Sequence, residues 1–102
     1  MSVAVIEKQG TTLNVCPEGR LDTTRSPQLN QELKPYLADA NQIVMDFSKV
    51  EYISSAGLRV LMWLEQEMEK RGGEVHVTHA REGVLKVFEL AGFMTVVHVI
   101  RE

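Results

Sequence analysis

The sequence predicts an α/β fold with a mixed sheet, and two observations support this. Two short extended segments near the amino terminus are separated by turn residues, which is typical of an antiparallel hairpin. From residue 42 onward, strand-like segments alternate with helical patterns, which favours parallel pairing through βαβ connections. The length of 102 residues and the apolar content of 44% are usual for one domain, so we expect a single domain over residues 1–102.

The amino-terminal segment is predicted to form the hairpin. Its strands are residues 3–7 and 12–18, and Gln9 and Gly10 supply turn residues between them. Cys16 is the only cysteine, which excludes an internal disulfide and fits a reducing compartment. The chain starts without a basic segment and has no run of ~18 apolar residues, so we expect a cytoplasmic protein without a membrane segment.

A first helix is predicted after the hairpin. Gly19-Arg20-Leu21-Asp22 leads to Ser26, which we expect to be the N-cap, and to Pro27 at the first helical position. Apolar residues then recur at helical spacing, at Leu29, Leu33, Tyr36 and Leu37. Pro35 is expected to kink or end this helix, because proline lacks the backbone N–H that a helix interior needs.

The middle of the chain is predicted to run from a strand through a short loop into a long helix. Residues 42–47 are a compact apolar run, typical of a buried central strand, and a loop is expected to follow from Ser48. The helix begins near Ser54 or Ser55. It is expected to end at Arg71-Gly72-Gly73, because basic residues and glycines are common at helix carboxyl ends.

The last part of the chain is predicted to add a strand, a helix and a final strand. Residues 74–78 alternate polar and apolar side chains, as a strand with one buried face does. A helical pattern follows up to Gly92, the expected C-cap, and residues 95–100 supply the last strand. His76 and His98 lie in these strands, and we expect them to be exposed strand residues rather than catalytic groups or metal ligands.

Charge and motif content exclude several classes of function. The net charge of −3, with both signs mixed along the chain, argues against the clustered lysine and arginine that nucleic-acid binding requires. The sequence contains no G-x-x-x-x-G-K-[S/T] phosphate loop and no recognisable cluster of metal ligands. We therefore expect no nucleic-acid partner, no cofactor and no metal.

The serines at the start of the long helix have two interpretations. An N-cap serine is the ordinary structural one. A hydroxyl at a helix start also lies beside unpaired backbone N–H groups and the positive end of the helix dipole, so an added phosphate would be well tolerated there. Position alone leaves both interpretations open.

Three separate segments resemble the STAS family, the sulphate-transporter and anti-sigma-factor-antagonist domains. The segment D-F-S-K-V-E-Y-I-S-S-A-G-L, residues 46–58, resembles the family signature around its phosphorylated serine. Gly19-Arg20-Leu21-Asp22 is similar to the family's glycine-x-leucine-aspartate turn, and Leu90-Ala91-Gly92-Phe93 to its Leu-x-Gly element. The resemblance implies a STAS-type fold, with a mixed central sheet of about five strands and helices packed mainly on one side.

The resemblance also assigns site residues. The family's phosphorylated serine lies two residues before the glycine of a Ser-x-Gly-Leu group, which is Ser55 here. Many relatives carry Asp immediately before it, where this chain has Ser54, so Ser54 is the less favoured acceptor. Asp22 and Asp46 match acidic positions that the family keeps near this loop.

Two faces of the long helix are predicted to differ in role. At ~100° per residue, Leu61, Leu64 and Met68 fall together on a core face. Another side carries Ser55, Arg59, Met62 and Gln66 with Trp63 beside them, which is either the edge of the core or a partner surface, since tryptophan and arginine dominate many interfaces. The predicted partner-binding residues are Asp22, Thr23, Asp46, Ser54, Ala56, Gly57, Leu58, Arg59, Met62, Trp63 and Gln66.

The resemblance implies a cycle of three proteins. The unmodified chain binds an anti-sigma factor that is also its serine kinase, phosphorylation of Ser55 releases that partner, and a PP2C-type phosphatase removes the phosphate. ATP and metal belong to those enzymes, so the chain itself is expected to be a regulator without catalytic activity and a monomer when free.

Two other functions are considered. A hydrolase would use Ser55 as nucleophile with His76, His79 or His98 as base, but Ile53 occupies the first glycine position of the G-x-S-x-G elbow. A STAS docking subunit of a transport complex or a larger signalling assembly is the closer alternative. The sequence separates that role poorly from a switch, and neighbouring genes for a serine kinase and a phosphatase would favour the switch.

Overall fold

The computed structural model describes residues 2–100, in which seven strands form two sheets. The larger sheet is mixed, since its first two strands pair antiparallel and every later pair is parallel, in the order β1-β2-β4-β6-β7. The predicted mixed sheet of about five strands is confirmed. The strands are β1 (Ala4–Gln9), β2 (Thr12–Pro17), β3 (Gly19–Leu21), β4 (Gln42–Asp46), β5 (Val50–Ile53), β6 (Glu74–Thr78) and β7 (His98–Ile100).

Helices follow three of the strands. They are α1 (Ser26–Leu33), α2 (Ser55–Glu69) and α3 (Glu82–Leu90), with short 3₁₀ helices at Lys34–Asp39 and Phe93–Thr95. Pro35 lies in the first 3₁₀ segment, so the predicted end of the first helix at this proline is confirmed. Within residues 2–100, every helix is too short or too polar to cross a membrane.

The second sheet, formed by β3 and β5, was missed by the sequence analysis, which expected a turn and a loop at these positions. The two strands pair in parallel, with Leu21 opposite Ile53. Arg20 lies over the ring of Tyr52, 4.3 Å from its centroid, and adds a cation–π contact across the pair. Strands of three and four residues are too short to show the alternation that reveals longer strands.

The larger sheet has one buried face and one half-exposed face. Leu13, Ile43 and Val75 lie opposite one another on β2, β4 and β6, and all three are fully buried beneath the helices. Their neighbours Val44 and His76, also paired, lie on the opposite face and are only half-buried. We call this second surface the open face. The helices therefore pack on one side of the sheet, as the resemblance implied.

Two predicted element ends are wrong. Ser26 is the first residue of α1 rather than its N-cap, a position that Arg25 holds, and the buried Ser26 hydroxyl has no hydrogen-bond partner among residues 2–100. In the turn before the helix, the carboxylate of Asp22 accepts hydrogen bonds from the backbone N–H groups of Thr24 and Arg25. The last strand begins at His98 and not at Thr95, because residues 93–95 form a 3₁₀ turn after Gly92, which has a φ of 73°.

Candidate functional site

Ser54 closes the amino-terminal end of α2. Its backbone is extended, and its Oγ accepts hydrogen bonds from the N–H groups of Ala56 (3.2 Å) and Gly57 (3.5 Å). The same hydroxyl donates to the backbone oxygen of Leu21 at 3.0 Å. Ser54 is thus a half-buried N-cap whose only proton is already used, and the predicted helix start is confirmed.

Ser55 is the first residue of α2, and its side chain is exposed. It lies in the turn where backbone N–H groups are unpaired within the helix and where the dipole favours negative charge. The two serines therefore differ in environment: the Ser54 hydroxyl is half-buried and hydrogen-bonded, and the Ser55 hydroxyl faces solvent.

Gly57 allows α2 to lie directly against the small sheet. A Cβ added to this residue would lie 2.9 Å from the backbone oxygen of Leu21 and 2.6 Å from a side-chain carbon of Ile53. Gly57 was predicted to belong to the partner-binding residues, but it is buried. Its role in the structure is to set the distance between α2 and the strands. The glycine of the Ser-x-Gly-Leu group is a packing requirement here.

A groove of about 430 Å³ runs along α2 beside Ser55. It contains Ser55, Arg59, Met62 and Gln66, which the helical spacing predicted on one side of the helix, together with the neighbouring Trp63. The core face is also as predicted, since Leu61, Leu64 and Met68 are at most 1% exposed. The residues that line the groove are Ser55, Leu58, Arg59, Met62, Trp63, Gln66 and Phe93.

The apolar part of this groove combines exposed and anchored side chains. Met62 is 39% exposed, whereas Trp63 is half-buried. Trp63 packs against the edge of the core and also lines the groove. Phe93 is buried at one edge, with its ring centroid 6.3 Å from that of Phe88. Phe93 is not among the residues predicted for the site. The Leu-x-Gly element before it was the available signal, but only the fold brings it beside α2.

The predicted acidic and threonine positions lie outside the groove. Asp22 follows Leu21, the acceptor of the Ser54 hydroxyl, and its Oδ1 accepts from the N–H groups of Thr24 (3.1 Å) and Arg25 (3.0 Å). The hydrogen bond from Arg25 lowers the pKa of Asp22. Thr23 is exposed in the same turn. These residues border the loop that holds Ser54, as the sequence indicated.

Asp46 belongs to a different set of contacts at the carboxyl end of β4. Its Oδ1 accepts from the N–H of Ser48 at 2.9 Å and lies 3.7 Å from Nδ1 of His79. The hydrogen bond from Ser48 lowers the pKa of Asp46. The structure therefore gives this carboxylate a role in the β4 turn and does not bring it to the groove.

The histidines are not assembled around Ser55. His76 and His98 lie on the open face of β6 and β7, and His79 lies beside Asp46. Among residues 2–100, the side chains that line the groove include no imidazole. The structure therefore does not bring a histidine beside Ser55 in the groove, as a hydrolase would require.

Comparison with known proteins decides the family. A family model described as "Mlab, STAS domain" matches residues 4–100. The chain belongs to the STAS domain family. The anti-sigma factor antagonist BtrV of Bordetella bronchiseptica is 30% identical over 92 residues, which cover 89% of this STAS domain and 79% of that protein.

Solved structures show the same fold. SpoIIAA in its unphosphorylated form superposes on this STAS domain with a TM-score of 0.84 at 19% identity, over 97% of this chain and 89% of that one. The Bacillus cell fate determinant SpoIIAA in its phosphorylated form gives a TM-score of 0.75 at 18% identity, over 97% and 92%. These structural likenesses show the fold. The similarity to BtrV places the chain among the anti-sigma factor antagonists, which are non-enzymatic regulators.

Proposed function

We propose that this STAS domain is a cytoplasmic switch controlled by phosphorylation of Ser55. The unphosphorylated form binds an anti-sigma factor that is also a serine kinase, phosphorylation releases that partner, and a PP2C-type phosphatase restores the binding form. The observation that carries the proposal is the exposed Ser55 hydroxyl on the rim of an apolar groove. The names of the similar proteins support it, since BtrV is named for antagonism of an anti-sigma factor and SpoIIAA is described in both phosphorylation states.

The contrast between the two serines supports Ser55 as the acceptor. Phosphorylation of Ser54 would remove the proton donated to Leu21 and place a dianion in a half-buried position. Phosphorylation of Ser55 breaks none of these bonds and adds negative charge at a helix start, where it is stabilised. The kinase therefore gains access to a hydroxyl without unfolding the α2 cap.

The groove explains how one phosphate could release a partner. A phosphoserine carries about −1.5 to −2 charges at pH 7. A partner that covers Met62 and Trp63 would have to remove the water molecules that hydrate the phosphate on Ser55, which costs free energy. Arg59 lies one helical turn after Ser55 on the same surface and can pair with the phosphate within the chain. Both effects weaken binding without a change of fold.

The test measures binding of the serine-kinase anti-sigma factor encoded in the same genome by isothermal titration calorimetry. We expect Ser55→Ala to bind like the wild type and to accept no phosphate, and Ser55→Asp to bind at least about tenfold more weakly. Ser55→Asn is the matched control, because it has the size of Asp without its charge. It should bind more tightly than Ser55→Asp.

Two results would contradict the proposal. The first is tight binding by a sample that mass spectrometry shows to be fully phosphorylated at Ser55. The second is a phosphate located on Ser54 alone after kinase treatment. If the affinity for the partner did not change with the charge at residue 55, the result would instead favour the alternative role, a docking subunit of a transport or larger signalling assembly.

A further inference from the structure

Three potential metal ligands meet on the open face where β7 pairs with β6. His76 and His98 are direct partners in the parallel register, and Glu74 lies two residues before His76 on the same face. The carboxylate oxygens of Glu74 lie 3.0 Å from Nε2 of His76 and 3.7 Å from Nε2 of His98. No local pattern in the sequence indicates this cluster, because the position of His98 beside His76 depends on the pairing of β7 with β6.

The separations suit a shared cation. One ligand atom from each residue lies within 4.8 Å of the other two. Bonds of about 2.0–2.1 Å to zinc imply ligand atoms about 3.3 Å apart in a tetrahedral site. The distance of 3.0 Å from Oε1 of Glu74 to His76 and that of 3.7 Å from Oε2 to His98 lie on either side of this value. His98 and Glu74 are exposed, so their side chains can make the small rotations needed to bring the ligand atoms to these distances.

The ligand types indicate the class of metal. Two imidazoles with one carboxylate form a ligand set that suits zinc and its neighbours among the divalent transition metals, whereas magnesium and calcium prefer oxygen alone. Such a set fills three positions and leaves a fourth for water. The ring centroids of His76 and His98 are 4.9 Å apart, so one ion can reach both rings.

We propose that Glu74, His76 and His98 form a binding site for Zn²⁺ or a similar divalent transition-metal ion. The ion joins the edge strand β7 to β6 through side chains, in addition to the backbone hydrogen bonds. The site lies on the open face, away from the α2 groove, so the proposal stands independently of the proposed phosphorylation switch.

The test titrates the unphosphorylated full chain with ZnCl₂ in a calorimeter and follows thermal unfolding by circular dichroism. We expect one site with a dissociation constant of micromolar order. Because an ion that binds only the folded state stabilises it, Tm should rise by about 5 °C or more at a free Zn²⁺ concentration about ten times that constant. Co²⁺ in place of Zn²⁺ should show visible absorption from a coordinated ion, which gives a readout independent of stability.

Variants assign the ligands. His98→Asn and Glu74→Gln should each weaken Zn²⁺ binding at least about tenfold, since each removes one of three ligands. His79→Asn is the matched control: it removes an exposed histidine outside the cluster, at a φ of 58° that asparagine tolerates. It should bind Zn²⁺ like the wild type. Absence of a calorimetric site, or equal binding by wild type and His98→Asn, would overturn the proposal.

Discussion

The side chain of Ser54 donates a hydrogen bond to the backbone oxygen of Leu21 over 3.0 Å, across a sequence separation of 33 residues. The backbone N–H of Ser54 reaches the same oxygen at 3.0 Å. Because Ser54 also caps α2, this one residue joins the end of β3 to the start of the helix. The link fixes the helix start and leaves Ser55 on the exposed side.

Removal of the Ser54 hydroxyl should therefore destabilise the domain. We expect Ser54→Ala to lower the free energy of unfolding by about 1–2 kcal/mol, because it loses the helix cap and the bond to Leu21. Ser55→Ala is the control, and its effect should stay within about 0.5 kcal/mol because its side chain is exposed. Urea denaturation measures both. Equal effects of the two variants would show that the cap is unimportant.

The close approach of α2 to the small sheet gives a second prediction. Gly57→Ala should cost about 1–3 kcal/mol of unfolding free energy, because the new methyl group would meet the backbone oxygen of Leu21 and the side chain of Ile53. Gly83→Ala offers the matched control in α3, where no atom lies within 4 Å of the added carbon. It should stabilise by about 0.5–1 kcal/mol through helix propensity. Thermal unfolding of both proteins would reveal the opposite signs, and a stabilised Gly57→Ala variant would be inconsistent with this packing.

Adjacent residues of α2 should separate stability from binding. Leu61 is 1% exposed, so Leu61→Ala should destabilise by about 2–5 kcal/mol through the cavity it leaves. Met62 is 39% exposed in the groove, so Met62→Ala should change stability by less than about 1 kcal/mol and weaken binding of the anti-sigma factor. Denaturation and calorimetric titration measure the two quantities. If Met62→Ala bound the partner with unchanged affinity, this result would show that the groove is not the binding surface.

The lowered pKa of Asp46 predicts a pH dependence of stability. A carboxyl group whose pKa is lowered in the folded state stabilises the fold at pH values above its ordinary pKa of about 4. This contribution to the free energy of unfolding is lost as the pH falls through the folded-state pKa. We expect Asp46→Asn to be less stable than the wild type at neutral pH and the difference to shrink towards about pH 3. The free energy of unfolding, measured from urea curves at several pH values, checks this.

Asp39→Asn is the control for this comparison. Asp39 is exposed and forms a surface ion pair with Lys8, at 3.1 Å, so its replacement should cost less than about 0.5 kcal/mol at neutral pH. A difference between wild type and Asp46→Asn that stayed constant with pH would show that the hydrogen bond from Ser48 does not depend on the charge.

Local patterns predicted the longer elements because each carries its own signal. The strands around Ile43 and Val75 show apolar runs or alternation, and the start of α2 was placed within one residue of Ser55. The short β3 and β5 strands gave no such signal, since each depends on the other for its backbone hydrogen bonds. Ser26 looked like a cap by residue type, but it is already the first residue of α1. The turn before the helix is closed by the carboxylate of Asp22, which accepts hydrogen bonds from the N–H groups of Thr24 and Arg25.

The sequence by itself determined the family, the alternation of strands and helices, and the helix face that carries Ser55, because these follow from motifs and from spacing along one segment. Tertiary structure alone decided which serine is hydrogen-bonded and half-buried, since the partner of Ser54 is the distant backbone oxygen of Leu21. It also decided that Phe93 borders the groove and that His98 meets His76 on the open face. Contacts between segments depend on sheet order and register, which no local pattern encodes.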